Sequence, residues 1–148
     1  MIKKYFVLIL FFSLQHLHSA DRSEILLAMD KYNEAFILAD YDQIIENFTF
    51  PVSIITSERM LSIDTKFGLR FVYKKIRGGL PKYYSYSKWN NIDIQVIEKN
   101  IAIVKASFSR YDKNENKFYD GNGIYQLKKI NNEWKIFSLI PFQSIETL

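Results

Sequence analysis

The sequence has no cysteine among its 148 residues. No disulfide can staple the fold, no thiolate can serve as nucleophile or metal ligand, and a lipid anchor on an N-terminal cysteine is excluded. Histidine is almost as scarce, since both copies, His16 and His18, fall within the first twenty residues. Beyond them, a Cys–His or Ser–His nucleophile pair and a zinc site of the usual Cys/His type are excluded. No metal and no cofactor is expected. An excess of charge of one sign is also missing. The formal net charge is +4, and two of those charges are Lys3 and Lys4. So small an excess gives weak support for a nucleic-acid or anionic-lipid partner, and neither is expected.

What the chain does have is apolar material. It is 48% hydrophobic and 24% charged, the balance of one globular domain with a real core. Residues 1–20, MIKKYFVLILFFSLQHLHSA, stand apart. A short basic start at Lys3 and Lys4, an apolar run from Tyr5 to Leu14, and small residues at Ser19 and Ala20 have the layout of a secretory signal peptide. The run is too short for a membrane span. The expectation is a cleaved leader over 1–20, a domain over 21–148, and a periplasmic or secreted product with no membrane contact after cleavage. A retained N-terminal anchor is the alternative, because His18 is large for the cleavage motif.

From Asp21 to Ala39 the spacing is helical: Ile25, Met29, Tyr32 and Phe36 share one face, and Ser23 or Asp21 can cap the start. Asp40 and Gln43 form a capping box for a short helix over Tyr41–Asn47, with Phe48 in its apolar set. Phe50-Pro51 ends helical structure. Val52–Thr56 and Met60–Ile63 read as a small hairpin. Asp64 or Thr65 caps a third helix through Phe67, Phe71 and Ile76, stopping at Gly78-Gly79. Lys74, Lys75 and Arg77 near its end suit the helix dipole.

The period then changes to two. Tyr83–Ile97, Ile101–Tyr111, Phe118–Ile130 and Trp134–Ile140 read as four long antiparallel strands. Asn131-Asn132 makes the last turn, because asparagine tolerates positive φ. That turn pairs Leu127 with Ile136 and Tyr125 with Ser138. One face of the hairpin then holds Tyr125, Leu127, Trp134, Ile136 and Ile140. Lys128 and Lys135 face solvent together, and Ile124, Phe137 and Leu139 form an apolar strip on the outer face, where a homodimer is expected. Lys105 either snorkels outward or reaches an anionic ligand. Asp93 and Asp120 are the acids that lie on strands; either can be a general base in a dry site, or a solvated surface carboxylate. Asp120-Gly121-Asn122-Gly123 reads as a strand-start bulge and not a phosphate loop.

Helices covering a curved antiparallel sheet make an α+β half-cone. The stretch YNEAFILADYDQIIENF, with Ala39-Asp40 at its turn, and the hairpin GIYQLKKINNEWKIFSL, with Trp134 just after its turn, resemble the NTF2-like superfamily, most nearly its SnoaL-like and DUF4440-like members. The resemblance implies a cone-shaped cavity between the first helix and the concave sheet face. It also implies either a binding site or an isomerase, dehydratase, cyclase or hydrolase site. The aspartate that many relatives carry after the second helix is replaced here by FTFPVSII. The expected ligand-binding residues are Tyr32, Phe36, Tyr86, Tyr125, Leu127, Trp134 and Ile136, with catalytic residues unknown and no metal. The ligand is expected to be small, hydrophobic and largely uncharged, aromatic or alicyclic. Three functions stay open: an exported binding or accessory protein, a cofactor-independent enzyme using a carboxylate and a tyrosine, and a homodimeric interaction module.

Overall fold

The computed structural model describes the backbone of residues 3–143 and the side chains of residues 20–143. Helix α1 spans Lys3–Leu38. It runs through Asp21 and Ser23 without a break, so neither residue caps it. The leader expected over residues 1–20 lies, but for Ala20, outside the described side chains. From Asp21 onward the helix is amphipathic as the spacing requires, with Ile25, Met29, Tyr32 and Phe36 all buried. Ala39 turns into the left-handed region (φ 54°) and ends it.

Helix α2 spans Tyr41–Glu46, and the Asp40 side chain accepts a hydrogen bond from the Gln43 backbone N–H. Phe48, expected on this helix, instead opens strand β1, Phe48–Ile55. Its partner β2, Met60–Ile63, pairs with it antiparallel. Helix α3 spans Lys66–Gly78 and is capped by Thr65. The residues it buries are Leu69 and Tyr73. Phe67, Phe71 and Ile76, the expected apolar set, are exposed, because Leu69 and Tyr73 are one helical turn apart and own the inner face.

Strands β3 (Tyr84–Glu98), β4 (Ile101–Asp112), β5 (Lys117–Ile130) and β6 (Glu133–Phe142) form an antiparallel meander. Strand β1 joins β6 in parallel, giving a six-stranded sheet of order β2-β1-β6-β5-β4-β3. The sheet curves around α1 and α3. The core lies between them, with Val52, Ala102, Val104, Leu127 and Ile136 fully buried. Each of the larger ones, Val52, Val104, Leu127 and Ile136, contributes about 1.5–3 kcal/mol.

The last hairpin turns at Asn131 and Asn132, both at positive φ, and pairs Leu127 with Ile136 and Lys128 with Lys135 as its pattern requires. Further along, the register departs from strict alternation. Ser138 pairs with Gln126 and Leu139 with Tyr125, so Phe137 is the extra residue of a bulge. The bulge reverses the sides. Leu139 turns inward and is buried, while Ile140 pairs with Ile124 and is only half-buried. Leu139 therefore leaves the expected outer strip, and Ile140 leaves the expected inner face.

Candidate functional site

The helix stripe and the sheet do not fill the wide end of the cone. A cavity of about 580 Å³ remains there. Helix α1 contributes Tyr32, Asn33 and Phe36, and α3 contributes Tyr73. The sheet contributes Ser87 and Trp89 from β3, Phe108 and Arg110 from β4, Tyr125 from β5 and Leu139 from β6. The rim is made by the β1–β2 hairpin and the outer side of α3, where Arg59, Phe71 and Lys75 are exposed.

Two glycines shape the floor. Strand β5 is evenly paired with β4 through Gly121 and Gly123, with no bulge there and no positive φ, so the expected irregularity is absent. The glycines serve a different purpose. A Cβ on Gly121 would lie 2.5 Å from the Phe108 ring, and one on Gly123 would lie 2.8 Å from the Tyr125 ring. Both rings lie down on bare backbone, which no other residue type would permit.

At the inner end three phenols meet. The Tyr32 and Tyr73 hydroxyls share a hydrogen bond at 3.0 Å, and the Tyr125 ring packs against Tyr32 beside them. Their rings pack edge to face, with Tyr32 centroids 6.2 Å from Tyr73 and 5.8 Å from Tyr125. Burial pushes Tyr73 and Tyr125 well above the usual phenol range and raises Tyr32, although hydrogen bonding to Tyr73 and the Arg110 charge oppose the rise at Tyr32. All three are neutral at neutral pH. The bond between Tyr32 and Tyr73 uses one of their two hydroxyl protons, so the other can be donated to a bound acceptor.

The expected binding residues divide. Tyr32, Phe36 and Tyr125 line the cavity. Leu127, Trp134 and Ile136 are buried in the hydrophobic core and are not part of its wall. Tyr86 faces the other way and stacks on Tyr111 at 4.9 Å. Register shifts on both sides of this segment of β3, at Tyr84/Tyr86 and Trp89/Asn91, turn Ser87 and Trp89 inward and Tyr86 outward. Asp93 is exposed and pairs across the ladder with exposed Lys105, which settles the outward reading of that lysine. Asp120 accepts a hydrogen bond from Ser109 at 2.5 Å and an ion pair from Lys117 at 2.8 Å. Those partners, Lys117 first, hold its carboxyl below the usual carboxylate range. Neither acid reaches the cavity. Among the described residues no Asp or Glu lines it, and no group of three or more metal-ligating side chains occurs.

Tyr73 and Arg110 were not anticipated in the sequence. Arg110 had a usable signal: it shares strand parity with Ala102, Val104 and Ala106, which all face inward.

A long helix lying across a curved, mostly antiparallel sheet and roofing an aromatic cavity defines a cone-shaped helix-on-sheet fold. The chain belongs to the NTF2-like protein family DUF6841, whose profile matches residues 23–144. Solved structures share the fold at low identity. A protein of unknown function with a cystatin-like fold from Nostoc punctiforme is 15% identical, with a TM-score of 0.70, over 87% of this chain and 96% of that one. A proposed scytalone dehydratase from Novosphingobium aromaticivorans is 14% identical, with a TM-score of 0.66, over 88% and 89% of the two chains. A proposed dehydratase of the NTF2-like family from Streptomyces avermitilis is 14% identical, with a TM-score of 0.68, over 86% and 98%. No protein of curated function matches the sequence. These likenesses establish the fold alone.

Proposed function

We propose that this chain is an exported binding protein whose cavity holds one small molecule with an aromatic or alicyclic body, and that it carries out no reaction on that molecule. The observation that supports this reading is the make-up of the cavity wall. Its volume of about 580 Å³ lies in the range of small-molecule sites. Its surface is aromatic and aliphatic, and its deepest polar points are neutral phenols. A dehydratase of the kind proposed for two of the solved relatives needs a group that takes up a proton near neutral pH. Phenols held above their ordinary range are poor bases at that pH. The carboxylates weighed for that role, Asp93 and Asp120, point away.

The test is thermal unfolding of the purified protein against a library of small aromatic and alicyclic compounds, with Tyr125→Trp as the filled-cavity control. Wild-type protein should be stabilised by members of the library, and the variant should keep its own stability and lose that response. A wild type that responds to nothing, together with a strongly destabilised Tyr125→Trp, would mean that the hairpin covers packed core.

A further inference from the structure

We propose that the molecule held in the cavity carries a carboxylate and that Arg110 is its counter-ion. This inference rests on the binding reading above and narrows it to organic anions.

Arg110 enters the cavity from β4. Its guanidinium lies 5.7 Å from the centre of the Phe36 ring, 5.2 Å from Phe108 and 4.8 Å from Tyr119. Aromatic faces stabilise a cation but accept none of its in-plane N–H bonds. Its Nε is buried and has no hydrogen-bond partner among the described residues. No described carboxylate pairs with it either. Lys129, by contrast, is matched by both Asp21, at 3.0 Å, and Glu24, at 2.6 Å, and Arg77, whose Nε is also unpartnered, at least bonds the Ile37 carbonyl. Arg110 is a partly desolvated charge that the protein itself leaves uncompensated, which is unfavourable unless something else supplies the anion.

The surroundings favour that anion. The cavity wall holds Arg59, Lys75 and Arg110 and, among the described residues, no acid. A low-dielectric recess lined by one sign of charge concentrates ions of the other sign. Arg110 shares the cavity wall with Tyr32, Tyr73 and Tyr125, so the guanidinium and the phenol hydroxyls address one cavity. A planar guanidinium matches the two oxygens of a carboxylate, while the rings of Phe36, Trp89 and Phe108 enclose the apolar body. The uncharged ligand suggested by sequence would leave Arg110 as it stands.

N-phenyl-1-naphthylamine, a neutral dye that fluoresces in apolar sites, serves as the reporter. It is displaced by 1-naphthoate or by its uncharged isostere 1-naphthamide, at pH 7. Wild-type protein should prefer the carboxylate by about tenfold, the order of one charge-assisted hydrogen-bond pair. Arg110→Met should abolish the preference while still binding the dye, and Arg110→Lys should keep part of it. If naphthamide competes as well as naphthoate on wild type, or if Arg110→Met leaves the preference intact, the proposal is overturned and the cavity remains a binding site for neutral molecules. If the dye does not bind wild type at all, the binding reading falls and this proposal with it. Should Arg110→Met fail to fold, the wild-type comparison and Arg110→Lys still decide.

Discussion

The ring of Tyr125 lies over Gly123, so near that a methyl group there would stand 2.8 Å from Cε2 and 3.1 Å from the hydroxyl. Gly123→Ala must therefore lift the ring into the cavity and disturb its edge-to-face packing on Tyr32. We expect a loss of about 1–3 kcal/mol together with loss of dye binding. Gly78→Ala is the control. Nothing stands within 4 Å of its Cβ, so the change should be neutral or stabilise by about 0.4–1 kcal/mol. Urea unfolding of both variants checks the pair; equal stability for the two would show that the Tyr125 ring is free to move.

The buried phenols make stability depend on alkaline pH. Tyr73 and Tyr125 titrate well above the ordinary value of 10.0 when folded and near it when unfolded. The unfolded chain therefore releases their protons first. Their contribution is complete below about pH 10 and is lost as pH rises from there toward the folded values. Tyr73→Phe should make the fall of stability above pH 10 shallower than in wild type, measured by urea midpoints across that range. An unchanged slope would mean that Tyr73 is not buried in solution.

Lys129 clasps α1 to strand β5 through Asp21 and Glu24. The Asp21–Lys129 pair is mostly shielded, with side chains 11% and 18% exposed, and Lys129 also lies over the Trp134 ring at 5.6 Å. A double-mutant cycle with Asp21→Asn and Lys129→Met should give a coupling of about 1 kcal/mol, weakening only partly in high salt. A coupling indistinguishable from zero would mean that the clasp adds nothing to stability.

Export should leave Asp21 as the first residue. Asp21 is buried and paired, while Ala20 before it is exposed, so a cut between them spares every contact described for the domain. Intact mass of protein recovered from the periplasm or medium should lack residues 1–20. Recovery of the full mass from membranes would favour a retained anchor.

Local chemistry made much of this fold readable. The Asn131-Asn132 turn, the Asp40 cap, the Thr65 cap and the α1 stripe each follow from rules acting within a few residues. The errors arise where distant chain intervenes. Phe48 has helical spacing but pairs with Ile136, on the far side of the sequence. Strict alternation places Leu139 outside, and one extra residue at Phe137 brings it into the cavity wall. The bulges in β3 similarly redirect Tyr86. Gly121 and Gly123 read as a strand-start bulge because a sequence does not show which rings need the space above a strand. The cavity's three expected and present members, Tyr32, Phe36 and Tyr125, lie on segments whose period was unbroken.

The parallel pairing of β1 with β6 also bears on the order of assembly. Ile54 and Leu139 are ladder partners and both line the cavity, yet more than half of the domain separates them along the chain. The meander from β3 to β6 can close on neighbouring contacts, whereas this wall must wait for a costly loop closure. The recess is thus expected to be the last part of the molecule to acquire its shape, on a chain already threaded through its final strand. A partly synthesised or partly translocated chain would have no recess to occupy, so occupancy would report a finished protein.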